Sequence, residues 1–146
     1  MRRLELPGSV AETAAAAAAK GYPLEICGVL AGQSDGESAS VLRLVPLPNV
    51  AEESQQRRRF VIDPAAIVKL DRELRKSGEQ LLGFYHSHPD HEAAPSRTDL
   101  EYFRLWPETV WLIIPVQQGE AGKGRAWWLE SPDDETASEI ELVSSE

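Results

Sequence analysis

Two imidazoles and a carboxylate are the donors that a metal ion with one open coordination position requires. His86-Ser87-His88-Pro89 and, five residues on, Pro95-Ser96-Arg97-Thr98-Asp99 supply them. All three histidines of the chain, His86, His88 and His91, fall in this stretch. Side chains two apart on a strand project to the same side, so His86 and His88 can face one ion while Ser87 points away. Asp99, in the first turn of a following helix, can return to the same point. Zinc held this way keeps a fourth position for water, lowers that water's pKa to about 7 and supplies hydroxide at neutral pH. Each fragment also has a reading without metal. His-x-His can be polar strand-end surface, and Ser96 with Asp99 is a helix-capping pair. The metal reading is preferred because one segment carries all three ligands and a loop that can fold them together.

The elements around this stretch follow from pattern. Pro7 to Glu12 reads as a helix start, with Ser9 as cap and Glu12 completing a capping box, and Lys20-Gly21 ends the alanine-rich helix. Ile26 to Ala31 is a buried strand, and Asp35-Gly36 turns it into an alternating strand from Ser38 to Val45. A long loop, Pro46 to Arg59, leads to a short strand at Phe60-Val61-Ile62. Asp63 caps a second helix with Pro64 at its first position, an apolar face of Ala66, Ile67, Leu70 and Leu74, and a stop at Ser77-Gly78. Gln80 to His86 is a core strand, so the histidine motif begins where it leaves the sheet. Ser96 opens a third helix, which ends before Trp106-Pro107. Thr109 to Val116 and Arg125 to Glu130 form a hairpin, and Glu139 to Val143 a last strand. Near-continuous apolar strands between helices indicate a mixed α/β fold with helices covering much of both sheet faces.

Bulk properties narrow the class. A chain of 146 residues is read as one domain spanning 1–146, long enough for a real core. No apolar run is long enough to span a bilayer, no secretory signal opens the chain, and a single cysteine excludes a disulfide framework or a CxxC ribbon. These features place the protein in the cytoplasm, away from membranes. Net charge is −9, from 24 acidic and 15 basic side chains, which disfavours nucleic acid. Arg57-Arg58-Arg59 is the only basic run. It is read first as a solvated loop entering a strand, and second as a small docking site for an acidic partner.

Three decoys are set aside. Gly32-Gln33-Ser34-Asp35-Gly36 matches a serine-hydrolase elbow, but a second strand follows where a helix is needed. His91-Glu92 begins like H-E-x-x-H, yet Pro95 stands at the second histidine. Cys27, in an apolar strand beside Gly28, reads as core packing rather than as a nucleophile. Trp106, Trp111, Trp127 and Trp128 are read as core by default.

With these residues in view, the chain resembles the JAMM, or MPN-plus, metallopeptidases. The match rests on His86-Ser87-His88-Pro89, Pro95-Ser96 and Asp99, with Glu25 in Pro23-Leu24-Glu25-Ile26-Cys27-Gly28 as the upstream glutamate that signature requires. Asn49-Val50-Ala51 and Phe60 to Pro64 look like further landmarks, so the likeness runs from Tyr22 to Trp127-Trp128. It implies a partly curled mixed sheet with three helices packed on it. It also implies one zinc ion per chain on His86, His88 and Asp99, Glu25 as general base, and Ser96 as hydrogen-bond donor to the oxyanion. Taken without the family, Glu25 reads as an exposed residue at a strand start. Ser87 is implied to be structural, and His91 solvent-exposed and off the metal. The lack of insertions resembles stand-alone prokaryotic members, which implies cleavage of an amide bond after Gly-Gly in a ubiquitin-like or sulfur-carrier protein. RadC-like relatives carry His-Asn-His-Pro-Ser-Gly, from which Ser87 and Asp90 depart. Two alternatives stay open: a non-catalytic MPN-type binding scaffold, and a cell-wall or phage-tail metallopeptidase. Oligomeric state is not legible.

Overall fold

Leu4 and Leu6 are buried while Arg3 and Glu5 on either side face outward, and this alternation makes a strand of the first residues, β1 (Arg3–Pro7). The structure, a computed structural model, describes residues 1–145. After β1 come α1 (Gly8–Gly21), β2 (Cys27–Ser34), β3 (Ser38–Leu47), a short 3-10 turn at Glu53–Gln55, α2 (Pro64–Lys76), β4 (Gln80–Pro89), α3 (Arg97–Phe103), β5 (Val110–Gln117), β6 (Glu120–Ala121), β7 (Arg125–Trp128) and β8 (Ser138–Ser145). The strand order is β4-β2-β3-β1-β8-β7-β5-β6. Because β4 also pairs with β5, seven strands close into a ring from which only β6 hangs. The pairs β1–β3, β1–β8 and β4–β5 are parallel and the others antiparallel. A curled mixed sheet with three helices is the expected architecture.

Two cores lie on the two faces of this ring. Leu4, Leu30, Val41, Tyr85, Leu112 and Ile140 pack with Ala14 and Ala18 of α1 on one face. Val29, Phe84, Trp111 and Ile113 pack on the other, beneath Ile67 and Leu74 of α2, Phe103 of α3, and Phe60 and Ile62. The alanines of α1 let that helix approach the sheet closely, which larger side chains would prevent. A register slip of β2 against β4, between Leu30 paired with Gly83 and Ala31 paired with Leu81, sets the phase of β4. Beyond it Phe84, His86 and His88 share one face, and Tyr85 and Ser87 the other.

Several local expectations need correction. Ser9 does not cap α1: the helix begins at Gly8 directly after Pro7 with no side-chain cap, and the Ser9 carbonyl accepts the Thr13 hydroxyl at 2.9 Å. Proline ending β1 turns straight into the helix, which leaves Ser9 and Glu12 inside it. Phe60-Val61-Ile62 is extended but forms no strand. Val50 N–H donates to the Val61 carbonyl at 2.8 Å, while the Val61 N–H is taken by the Asn49 side chain. β4 runs on to Pro89, so both motif histidines sit within the strand and not beyond it. Asp63 does cap α2 ahead of Pro64, and Gly36, at φ +95°, turns β2 into β3 rather than into a helix, which disposes of the serine elbow.

Closure of the ring depends on a close approach at Gly83. A Cβ there would lie 1.8 Å from the Val110 carbonyl oxygen, a backbone atom that cannot swing aside. Gly83→Ala is therefore expected to cost about 1–3 kcal/mol or more of stability. The denaturant midpoint reads this directly, and an unshifted midpoint would show that β4 and β5 are not so tightly apposed.

Candidate metal centre and active site

Buried polar side chains are costly unless they are paired or used. Among the described residues the buried polar and charged side chains are Glu25, His86, Ser87, His88 and Asp99; His86, His88 and Asp99 form one group, the Asp99 charge acts on Glu25, and Ser87 lies behind them on the same strand. Chemistry-bearing residues from positions 25 to 99 are thus gathered while the remaining acidic surplus stays outside. Glu25 is only 4% exposed, which corrects the family-free reading of it as a surface residue.

Three elements place the ligand group. β4 is held between β2, with Cys27 opposite His86, and β5, in register from Gly83–Val110 to Pro89–Val116. Ser87 points to the far face and locks β4 to the segment that carries Glu25. Ile26 N–H donates to Ser87 Oγ at 2.9 Å, and Ser87 N–H donates to the Ile26 carbonyl at 3.1 Å. α3 brings Asp99 through a complete capping box: Asp99 N–H donates to Ser96 Oγ at 3.0 Å and Ser96 N–H to Asp99 Oδ2 at 2.9 Å. The capping reading is realised, and the same side chain puts its carboxylate where the ligand reading needs one. Asp99 Oδ2 lies 2.8 Å from His88 Nε2, and Oδ1 lies 3.3 Å from His86 Nε2. One ligand atom from each of His86, His88 and Asp99 falls within 4.8 Å of the others, so the three could hold a metal ion.

The donor set fits a cation on its own chemistry. His88 Nδ1 lies 2.7 Å from the Glu92 carbonyl, which can only accept, so Nδ1 carries the proton and a neutral ring turns the Nε2 lone pair toward Asp99. A lone pair facing a carboxylate calls for a proton or a cation between them. His86 is fully buried, with neither ring nitrogen hydrogen-bonded; its 3.3 Å approach to Asp99 is close but misaligned. Burial lowers the His86 pKa and favours the neutral, ligating form. For Asp99 burial alone would raise the pKa, but His86 and His88 outweigh it and hold the carboxyl well below its usual range.

Glu25 stands beside this group without joining it. Burial first, and the Asp99 charge second, push its carboxyl up to about 9, with Arg59 opposing. Its Oε1 is buried and has no hydrogen-bond partner among the described residues. Such a carboxyl is protonated at neutral pH, and positive charge held by the neighbouring ligands is what would draw it into the basic form. A cleft of 350 Å³ opens beside it, lined in part by Leu24, Ile26, Asn49, Gln56 and Tyr85. A cavity of 790 Å³ elsewhere, lined by Met1, Asp71, Arg75 and Trp128 among others, touches none of the five buried polar residues.

Ser96 is exposed, and its oxygen accepts from Asp99 N–H while its own proton remains uncommitted among the described residues. His91 is exposed and outside the ligand group, with its ring centroid 6.5 Å from that of His88. Burial pushes the Cys27 thiol up to about 12, and its Sγ donates to the Leu47 carbonyl, which fits packing and not nucleophilic work.

Sequence reasoning passed over the residues that hold these parts in place. Asn49 is the main one: its Nδ2 donates to the Glu25 and Arg59 carbonyls, both at 3.1 Å, and its Oδ1 accepts from Ala51 and Val61 N–H. Its place in a landmark tripeptide was the available signal. Asp90 is the second, clasped by Tyr22 Oη at 2.6 Å and Gln118 N–H at 2.9 Å, in a left-handed conformation (φ 59°) that aspartate tolerates. Trp127 is the third, its Nε1 donating to the Ala93 carbonyl at 2.9 Å. The last two fix the ends of the loop whose Glu92 carbonyl orients His88.

Comparison with known proteins accords with this geometry. Residues 7–130 match the family described as prokaryotic homologs of the JAB domain. The chain belongs to that family. It is the prokaryotic branch of the JAMM peptidases that the histidine signature suggested. A desampylase from Haloferax volcanii is 39% identical over 105 residues, 72% of each chain. A CysO-cysteine peptidase from Mycobacterium tuberculosis is 34% identical over 100 residues, 68% of this chain and 64% of that one. The solution structure of a Desulfitobacterium hafniense protein superposes with a TM-score of 0.81 at 28% identity, covering 98% of this chain and 93% of that one.

The Asn49 network gives a direct test of how Glu25 is held. Asn49→Ala strips two backbone N–H groups and two carbonyls of their partner, and is expected to lower stability by about 2–4 kcal/mol. Chemical denaturation measures it; a loss below about 0.5 kcal/mol would mean that water replaces the side chain without cost.

Proposed function

We propose that this chain is a zinc-dependent peptidase or isopeptidase that hydrolyses the amide bond after Gly-Gly in a ubiquitin-like or sulfur-carrier protein. Membership of the JAB family makes it a hydrolase. The substrate class draws support from relatives that are desampylases and a CysO-cysteine peptidase. The observation that carries the chemical reading is the burial of Glu25, His86, His88 and Asp99 in one place, with Glu25 beside the ligand group.

His86 and His88 give two nitrogens and Asp99 one oxygen, the donor set of a catalytic zinc site that keeps a position open. Zinc, when bound, lowers the pKa of a coordinated water to about 7 and polarises the scissile carbonyl. Glu25 takes the proton from the attacking water and passes it to the amine that leaves. Its buried position, with Oε1 free of other partners, keeps it available for both transfers. The Ser96 hydroxyl donates to the carbonyl oxygen as negative charge builds there. Holding that hydroxyl at the N-cap of α3 costs no reorganisation, because the capping box already fixes it. The Glu92 carbonyl keeps the His88 ring turned with Nε2 toward the ligand group. A scaffold without catalysis would not need this complete set.

Two substitutions separate metal binding from proton transfer. Zinc titration of His88→Ala is expected to show loss of the stoichiometric ion, whereas Glu25→Gln keeps it. With a Gly-Gly-extended carrier read by intact mass, Glu25→Gln is expected to slow cleavage about 10²–10⁴-fold. Ser96→Ala is expected to slow it about 10²–10³-fold, and a chelator to stop it. Undiminished cleavage by zinc-loaded Glu25→Gln would remove Glu25 from the mechanism, and full zinc retention in His88→Ala would refute the ligand assignment.

A further inference from the structure

Arg57, Arg58 and Arg59 are all exposed, in a chain whose acidic side chains outnumber its basic ones 24 to 15. Arg3, Arg43, Arg75 and Arg125 each find a carboxylate, and Arg2, Arg72, Arg97 and Arg104 stand singly without one among the described residues. The three adjacent guanidinium groups pair with none, and form no side-chain hydrogen bond, among the described residues. Even Glu52 and Glu53, exposed on the same loop, leave them unpaired. Three like charges on consecutive residues of one exposed loop make a local excess of positive charge in an acidic chain, which attracts negative charge from outside it.

The loop is also built into the active site. Glu25 N–H donates to the Gln56 carbonyl at 2.7 Å, and the Arg59 carbonyl shares the Asn49 amide with the Glu25 carbonyl. Arg58 and Arg59 N–H both donate to the Gln55 carbonyl, and Gln56 Nε2 donates to the Asn49 and Ala51 carbonyls. The backbone beneath the arginines is therefore fixed before any partner arrives, which lowers the ordering cost of binding. The run flanks the ligand group: the Arg59 charge acts on Glu25, and the Arg57 charge on the Tyr22–Asp90 clasp at the end of β4.

We propose that Arg57, Arg58 and Arg59 form a docking surface for an acidic face of the ubiquitin-like carrier, seating its folded part while its tail lies at Glu25. The inference rests on the substrate class proposed above and adds the feature of that substrate that is recognised. Nucleic acid, the other common partner of arginine clusters, is repelled by the chain's net charge of −9. Exposed charge pairs set encounter and orientation more than ultimate tightness, so the signature is salt-dependent binding.

A charge swap tests this. The zinc-loaded chain is titrated calorimetrically with a sulfur-carrier protein that ends in Gly-Gly and has acidic residues beside its tail, and with a version in which those residues are lysine. Arg57→Glu/Arg58→Glu is compared with the original chain, leaving Arg59 in place because it faces Glu25. The double variant is expected to bind the acidic carrier about tenfold or more weaker and the lysine carrier tighter, with both differences shrinking at high salt. Arg57→Gln/Arg58→Gln, with a smaller loss, covers the case in which the glutamates disturb the loop. Equal binding of both carriers by both chains, or no binding of the acidic carrier by the original chain, overturns the inference. Cleavage of an extended carrier is scored separately. Charge-dependent binding without cleavage sinks the proposed activity and spares the docking surface, while cleavage without charge dependence does the reverse.

Discussion

A carboxylate buried between two imidazoles sets the terms for the rest of the molecule. Asp99 is 2% exposed, and taking its charge out of water would cost several kcal/mol if nothing answered it. The Ser96 N–H answers it directly, and the His88 and His86 nitrogens, 2.8 and 3.3 Å away, complete the answer with a proton or cation between them and the carboxylate. Each answer fixes an element. The Ser96 contact determines where α3 begins, and the imidazoles demand that β4 stay straight to its last residues. That straightness comes from β2 on one side and β5 on the other, so the ligand-bearing strand is gripped along both edges.

Rigidity and reach are divided between different parts of the chain. The candidate ligand atoms sit on a strand and at a helix start, the two places where backbone position is best determined. The loops around them are tied down by side-chain hubs: Asn49 for the arginine loop, Asp90 and Trp127 for the loop after β4. The chemistry is thus anchored by the sheet, while the surroundings can differ between relatives without moving the ligands. Coverage of nearly the whole chain by a neighbour of only 28% identity accords with such a division.

Much of this was legible in the residues. Histidines two apart, a proline, and a Ser-x-x-Asp helix start declare a strand running into a capped helix, because the period of each element is local. The helices at Pro64 and Ser96 were readable from their caps. What eluded the sequence was non-local. β1 is five residues long, and its alternation of Leu4 and Leu6 gains meaning only through β3 and β8, which flank it. Burial of Glu25 follows from Ser87 pulling Ile26 against β4, sixty-one positions away, and no period announces that. Asn49 looked like a loop residue because its four partners are backbone groups, which any sequence supplies.

The ring has a kinetic side. β1 and β8 pair with Arg3 opposite Glu141, so the contact that completes the sheet joins residues at opposite reaches of the described chain. Contacts so far apart form late, since loop-closure entropy is spent before they return anything. Until β8 arrives, β1 and β7 each present a bare row of amides and carbonyls, the kind of edge on which other chains assemble. Neither β1 nor β8 lies fully within residues 7–130, the part that matches the family. The part that carries the candidate site can therefore be in register while two edges stay open, and the strands that close them, β1 and β8, carry none of the site's residues.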